Sequence, residues 1–243
     1  MTVTQIEPYC ARWFAQAPRA QATSYTQTYP VRLTDGSVIE LPLRALPGGE
    51  QAIALLMSNQ TSFAVEREII RLLTHAVRAL VPEAVVGVPT MGLAYARPIA
   101  QAIGLDDYVA LGHSRKFWYD ETLSEPLVSS TSPLQNKRLY LDPALVTRVR
   151  GRRVVIVDDV INTGQTAGAA IRLLRRAGAE IAGVVAPLTE GWAWHEALRA
   201  IMPDAPAMVH ALGHIPMFRA TQEGWTPMKG TGAHENPDIL PAC

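Results

Sequence analysis

Cysteine is scarce in this chain: there are two in 243 residues, Cys10 and Cys243, near opposite ends. They make no metal-ligand spacing, and a disulfide between two chain ends is not expected, which suits a reducing compartment. An excess of one charge is also missing. Lys plus Arg and Asp plus Glu both number 22, so the basic footprint of a general nucleic-acid binder is not expected. No apolar run approaches the ~18–20 residues of a membrane-spanning helix. The opening MTVTQIEPYCARWFAQ lacks a basic segment followed by an apolar one, so it does not read as a secretion signal. Repeats and heptads are absent. The expectation is a cytoplasmic protein with no membrane contact. Its 48% hydrophobic content suffices for a core in one large domain or two small ones.

Local patterns give the order of elements. TYPVRLTDGSVIELPL (28–43) predicts a hairpin turning at Asp35-Gly36. Residues 62–80 predict a helix, with Ile69, Leu72, Leu73, Ala76 and Leu80 at helical spacing, Thr61 or Ser62 as cap, and Pro82 as stop. From residue 84 short apolar runs alternate with helices. AVVGV, DYVAL, RRVVIV, AEIAGVVAPL and AMVHAL read as strands. GLAYARPIAQAIG reads as a helix that Pro98 should kink or break. Residues 164–177 read as a helix capped by Thr163, and WAWHEALRAI as another. Residues 112–150 are polar and Pro-punctuated, with possible strand pieces near 127–131 and 138–141, and 221–243 read as loop. Alternating strand and helix predicts an α/β fold: an open parallel sheet with helices on both faces.

RRVVIVDDVINTGQTAGAAI (152–171) carries the chemistry. Ligands of open α/β sheets sit beyond the carboxyl ends of strands, and Asp158 and Asp159 stand at such an end. A lone aspartate there would read as a solvated loop residue. Here NTGQT follows, leading into a helix whose first amides have no intrahelical partner. Small and hydroxyl residues let a phosphate approach those amides, and the helix dipole favours it. One segment thus offers acceptors for hydroxyl groups and donors for a phosphate, which a sugar phosphate satisfies together.

VVIVDDVINTGQT resembles the 5-phosphoribosyl-1-pyrophosphate (PRPP) signature of type I phosphoribosyltransferases: strand, two acids, two apolar residues, then a small-Thr-Gly-x-Thr loop. The resemblance covers roughly residues 84–215 and is nearest the adenine/xanthine branch, which GLAYARPIA also resembles. It implies a small hood, built from N-terminal and C-terminal segments, over the sheet. It implies that Asp158 and Asp159 face the ribose hydroxyls, directly and through Mg2+, and that Asn162, Thr163, Gly164, Gln165 and Thr166 hold the 5′-phosphate. Thr90, Met91 and Gly92 of VVGVPTMG would offer amides to pyrophosphate, with Thr90–Met91 as the bond for the non-proline cis peptide often found in relatives. HSRKFWYDE (113–121), by itself an exposed basic-aromatic loop, would begin a mobile lid over 113–137, with Arg115 and Lys116 compensating the pyrophosphate charge. ALGHIPMF (211–218) is either a base-covering segment or a plain strand and turn.

The expected division is a hood or extension at 1–60, a core at 61–215 and a tail at 216–243. The expected reaction is Mg-dependent transfer from PRPP to a purine-type base, by a nucleotide-salvage enzyme acting as a homodimer without nucleic acid. Asn162 departs from the family, since the hypoxanthine-guanine branch has an aspartate there, used near the base's N7. If a proton must be moved, Glu121 or Glu125 is the candidate. His113 and His214 flank the proposed site, whereas His75 and His195 read as helix residues. Trp192 and Trp194 present two faces, one core and one surface or dimer contact. Two alternatives remain open: a regulator of this fold that senses PRPP or a nucleotide, and a PRPP-dependent enzyme with a non-purine acceptor.

Overall fold

The computed structural model describes residues 8–16, 22–127 and 137–235. In chain order the strands and helices are β1 (Arg12–Phe14), β2 (Thr28–Arg32), β3 (Val38–Ala45), β4 (Gln51–Ala54), α1 (Phe63–Ala79), β5 (Ala84–Gly87), α2 (Leu93–Ala102), β6 (Val109–Ala110), β7 (Ser124–Pro126) and β8 (Arg138–Tyr140). They continue with β9 (Arg153–Val157), β10 (Val160–Ile161), α3 (Gln165–Arg176), β11 (Glu180–Glu190), α4 (Ala193–Arg199), β12 (Val209–Ile215), β13 (Phe218–Thr221) and β14 (Gly224–Pro227).

Five main strands form the parallel sheet, with β5 beside β6 and β9, and β11 between β9 and β12. Counted in chain order, they lie 2-1-3-4-5. Sheets of this order hold ligands where the strand order reverses, here beyond the carboxyl ends of β5 and β9. The short β10 continues past β9 and pairs with the end of β11 through Val160↔Leu188 and Ile161↔Thr189. Alternation along β9 fills both faces, as a buried parallel strand requires. Val155 and Val157 join the cluster with α1 and α2, while Val154 and Ile156 join the one with α3 and α4. The expected helices on both faces are therefore present.

Strands from both chain ends build the second sheet. Its order is β1-β3-β4-β13-β14, with β2 on the other side of β3. This is the hood drawn from N- and C-terminal segments. The expected hairpin is β2–β3, in register from Thr28↔Pro42 to Arg32↔Val38. Leu33 bridges to Gly213, which ties the hood to the edge of the parallel sheet.

Four local expectations change. α2 runs through Pro98 without a break, because Tyr95, Ala96, Ile99 and Ala100 are buried and their packing outweighs one lost hydrogen bond. The cap of α3 is Gly164, not Thr163. The strand expected near 127–131 lies at Ser124–Pro126, paired with Arg138–Tyr140, while 128–136 lie outside the described residues. Residues 221–227, expected as loop, belong to the β13–β14 hairpin. Residue 243, and with it Cys243, lies outside the described residues, and Cys10 is a free, exposed thiol.

Candidate active site

Two loops meet at the strand reversal. The first leaves β5 as Val88-Pro89-Thr90-Met91-Gly92 and enters α2. Its cis peptide is Pro89–Thr90, one bond earlier than expected. Val88 N donates to Val157 O at 2.9 Å, which locks this loop to the end of β9. Gly92 sits against that end. A Cβ on it would lie 2.7 Å from Val157 O, 2.7 Å from Val88 O and 2.9 Å from Asp158 Cα. Thr90, Met91 and Gly92 are thereby brought beside the acidic pair through the backbone.

The second loop begins with Asp158, whose N donates to Val185 O at 3.0 Å. The Asp158 carboxyl is buried and accepts from Asp159 N at 2.9 Å. Burial pushes it well above the usual carboxylate range, and the adjacent Asp159 charge adds to the effect. Asp158 and residues 160–167 line a cavity of about 100 Å³. Asn162, Thr163, Gly164, Gln165 and Thr166 all stand on its wall, at the N-terminus of α3. Gly164 takes φ +75°, and a Cβ there would lie 3.0 Å from both Cα and O of Trp194. Trp194 thus backs the loop, with its indole N–H donating to Gly191 O at 3.0 Å.

The other residues are placed differently. Arg115 is exposed and pairs with Glu121 at 2.8 Å, which occupies both. Neither Arg115 nor Lys116 lines the 158–167 cavity. Glu125 is buried, accepts from Arg172 Nε at 3.0 Å and makes a second, short contact with Arg176. It anchors 121–127 on α3 and is not free to move a proton. His113 spans Pro89 O at 3.0 Å and Arg138 O at 3.4 Å. His214 stacks on Trp192 at 4.3 Å and lies between Thr189 Oγ1 at 2.9 Å and the Thr231 carbonyl at 2.7 Å. Burial lowers its pKa, and Thr231 opposes this. Phe218 is fully buried among hood aromatics.

The sequence pattern did not single out Glu190. It ends β11, is buried, accepts from Asn162 Nδ2 at 2.8 Å, and is pushed up to about 7 by burial. Tyr95 OH and Ser58 Oγ are buried, and burial raises the Tyr95 phenol. Among the described residues no three His, Cys, Asp or Glu side chains cluster to hold a metal. The available donors are the carboxylates of Asp158 and Asp159. They fit a magnesium ion that keeps its waters and takes most ligands from a phosphorylated substrate, since its hard charge would offset the crowded acids.

A family model described as the phosphoribosyl transferase domain matches residues 60–197. The adenine phosphoribosyltransferase of Streptomyces galbus is 33% identical over 50% of this chain and 64% of its own length. The "Probable purine biosynthesis transcriptional regulator PurR" of Streptococcus pneumoniae is 30% identical over 58% of this chain and 49% of its own length. This chain therefore spans less than two thirds of the length of these curated relatives. The solved adenine phosphoribosyltransferase of Rhodothermus marinus has a TM-score of 0.51 at 24% identity, over 63% of this chain and 81% of that one. That likeness supports the fold. Among the described residues no helix is long and apolar enough to cross a membrane.

Proposed function

The chain belongs to the phosphoribosyl transferase domain family, and from that premise we propose that it transfers the 5-phosphoribosyl group of PRPP to a purine-type base. The products are a nucleoside 5′-monophosphate and pyrophosphate. One observation carries the reading: Asp158 and the anion cradle 160–167 share one cavity at the strand reversal. In this reading residues 61–215 are the transferase core, 1–60 with the C-terminal hairpin form the hood, and the working assembly is a homodimer.

The ribose hydroxyls face Asp158 and Asp159, and the 5′-phosphate sits on the first amides of α3 with Thr163 and Thr166. The loop at Thr90–Gly92 offers amides to pyrophosphate, and Lys116 and Arg115, the latter by leaving its Glu121 pair, reach it from the lid. The C1–oxygen bond to pyrophosphate breaks, a bond from C1 to a base nitrogen forms, and the base loses one proton. Little covalent help from the protein is required: it aligns the reactants and stabilises separated charge. The aspartates favour positive charge developing on the sugar. Magnesium, when bound, would neutralise phosphate oxygens.

The test is purified protein with PRPP, magnesium and a panel of bases, with products identified by mass spectrometry. A purine nucleotide is expected. The Asp158→Asn, Asp159→Asn double variant should lose at least about 10²–10³ in turnover, since one aimed group is typically worth that much. Undiminished turnover in the folded variant refutes the ribose assignment. A second reading is a PRPP-sensing regulator, favoured by the likeness to the pneumococcal protein. PRPP binding without product from any base would favour it; product only from a non-purine base would change the acceptor class.

A further inference from the structure

Glu190 ends β11 opposite Ile215, with only 5% of its surface exposed. Its Oε2 accepts from Asn162 Nδ2, while its Oε1 is buried with no hydrogen-bond partner. Asn162 in turn lines the 158–167 cavity. One buried carboxyl therefore stands a single side chain behind the candidate phosphate cradle, with half of its bonding capacity unused. An ionised carboxylate only accepts, so it holds the amide by its NH2 end. A neutral carboxyl has an O–H donor. It can hold the amide by Oδ1 after a half-turn of the side chain, which leaves Nδ2 to donate into the cavity.

We propose that Glu190 is a positioning residue for the phosphorylated ligand: in its neutral form it turns the Asn162 amide so that Nδ2 donates into the cradle, and ligand binding is thereby coupled to proton uptake by Glu190. The proposal rests on the phosphoribosyl reading of the site. Two effects act in the same direction. Burial already holds the carboxyl at about 7, and a phosphate nearby disfavours a second anion. Titratable groups on neighbouring elements include Asp158 and Asp159 after β9, Tyr95 on α2, His195 on α4, and His210 and His214 on β12. Burial alone produces the Glu190 shift, and the His214 ring is engaged by Thr189 and Thr231.

Ribose 5-phosphate is the probe, measured by calorimetry at pH 6.5 and 8.5 with wild type, Glu190→Gln and Asn162→Ala. Relative to Glu190→Gln, wild-type affinity should fall about sixfold over that range, the part of a one-unit pKa rise on binding that lies between those pH values when the free carboxyl titrates at about 7. The ligand's own ionisation cancels in that ratio. Asn162→Ala should flatten the dependence. At pH 7.5, wild type in two buffers of different ionisation enthalpy should take up roughly half a proton on binding; this needs no variant to fold. A pH-independent ratio with no proton uptake overturns the proposal, as does a folded Glu190→Gln that binds at neither pH. Full pH dependence in Asn162→Ala overturns the route through the amide. Failure of wild type to bind the probe at any pH removes the phosphoribosyl reading and this proposal with it, whereas binding without a proton signature removes this proposal alone.

Discussion

An alanine at position 92 would place its Cβ against two carbonyl oxygens and a Cα, all backbone, at 2.7 to 2.9 Å. Main chain cannot swing aside as a flexible side chain can, so the loop or the end of β9 must move. Gly92→Ala is therefore expected to cost about 1–3 kcal/mol, the usual range for overpacking, and to weaken pyrophosphate binding more than ribose 5-phosphate binding. Denaturant midpoints and the two affinities check this; an unchanged midpoint with both affinities intact would mean the loop relaxes freely. At this scale the sequence was informative about identity and silent about partners. The run DDVINTGQT displays its acids and the residues proposed to hold phosphate because they are contiguous. Glu190 reads as the polar end of a strand, since its partner Asn162 is 28 residues away. Trp194 reads as a helix aromatic, although its backbone excludes any side chain at Gly164.

Elements were legible where their pattern is local and misread where distant contacts decide. α1 shows its apolar stripe and a cap at Thr61 or Ser62, and the structure has the stripe and the cap at Ser62. Residues 121–127 look like open lid, yet Glu125 is buried under Arg172 and Arg176 of α3, 47 and 51 residues along the chain. Arg176 also donates to Thr122 O and Ser124 O, and Arg138 donates to Ser124 Oγ. The base of the proposed lid is thus fastened to the helix whose N-terminus forms the proposed cradle, so a closing motion would hinge outside 121–127. Removing the buried carboxyl takes the carboxylate partner from two guanidinium groups, but both are partly solvated and Arg176 keeps its two carbonyl acceptors. Glu125→Ala is accordingly expected to cost about 1–3 kcal/mol, less than a fully buried pair. Limited proteolysis should cut faster within 113–141 in that variant. Wild-type cleavage rates would show that the anchor does not hold the lid.

At the scale of the whole molecule, the two chain ends complete one sheet. Composition hides this: the segment after residue 216 is rich in Gly, Pro and polar residues, and its strand pairing is with residues 51 and 52, far upstream. The parallel sheet, whose strands are buried on both faces, was plain in the sequence; the part of the C-terminal segment in the hood followed from the family resemblance, but its strands were not legible. Phe218 is the joint. It is fully buried, opposite Ala52, with its ring edge-to-face on Tyr29 at 4.9 Å and on Tyr25 at 6.4 Å. The cluster containing Phe218, Tyr29 and Leu41 of the hood also contains Val155 and Val157 of β9, Leu188 of β11 and Tyr95 of α2. Hood and parallel sheet therefore share one apolar core, and loss of hood packing should be felt at the strand ends that bear the site. Phe218→Ala is expected to cost about 3–5 kcal/mol, as for large core truncations. It should lower a single melting transition followed by near-ultraviolet circular dichroism and by ribose 5-phosphate protection alike. Were the hood an independent appendage, the variant would instead melt in two steps, the ligand protecting only the later one. That outcome would detach the hood from the site and leave its sheet with no part in holding the strand ends in place.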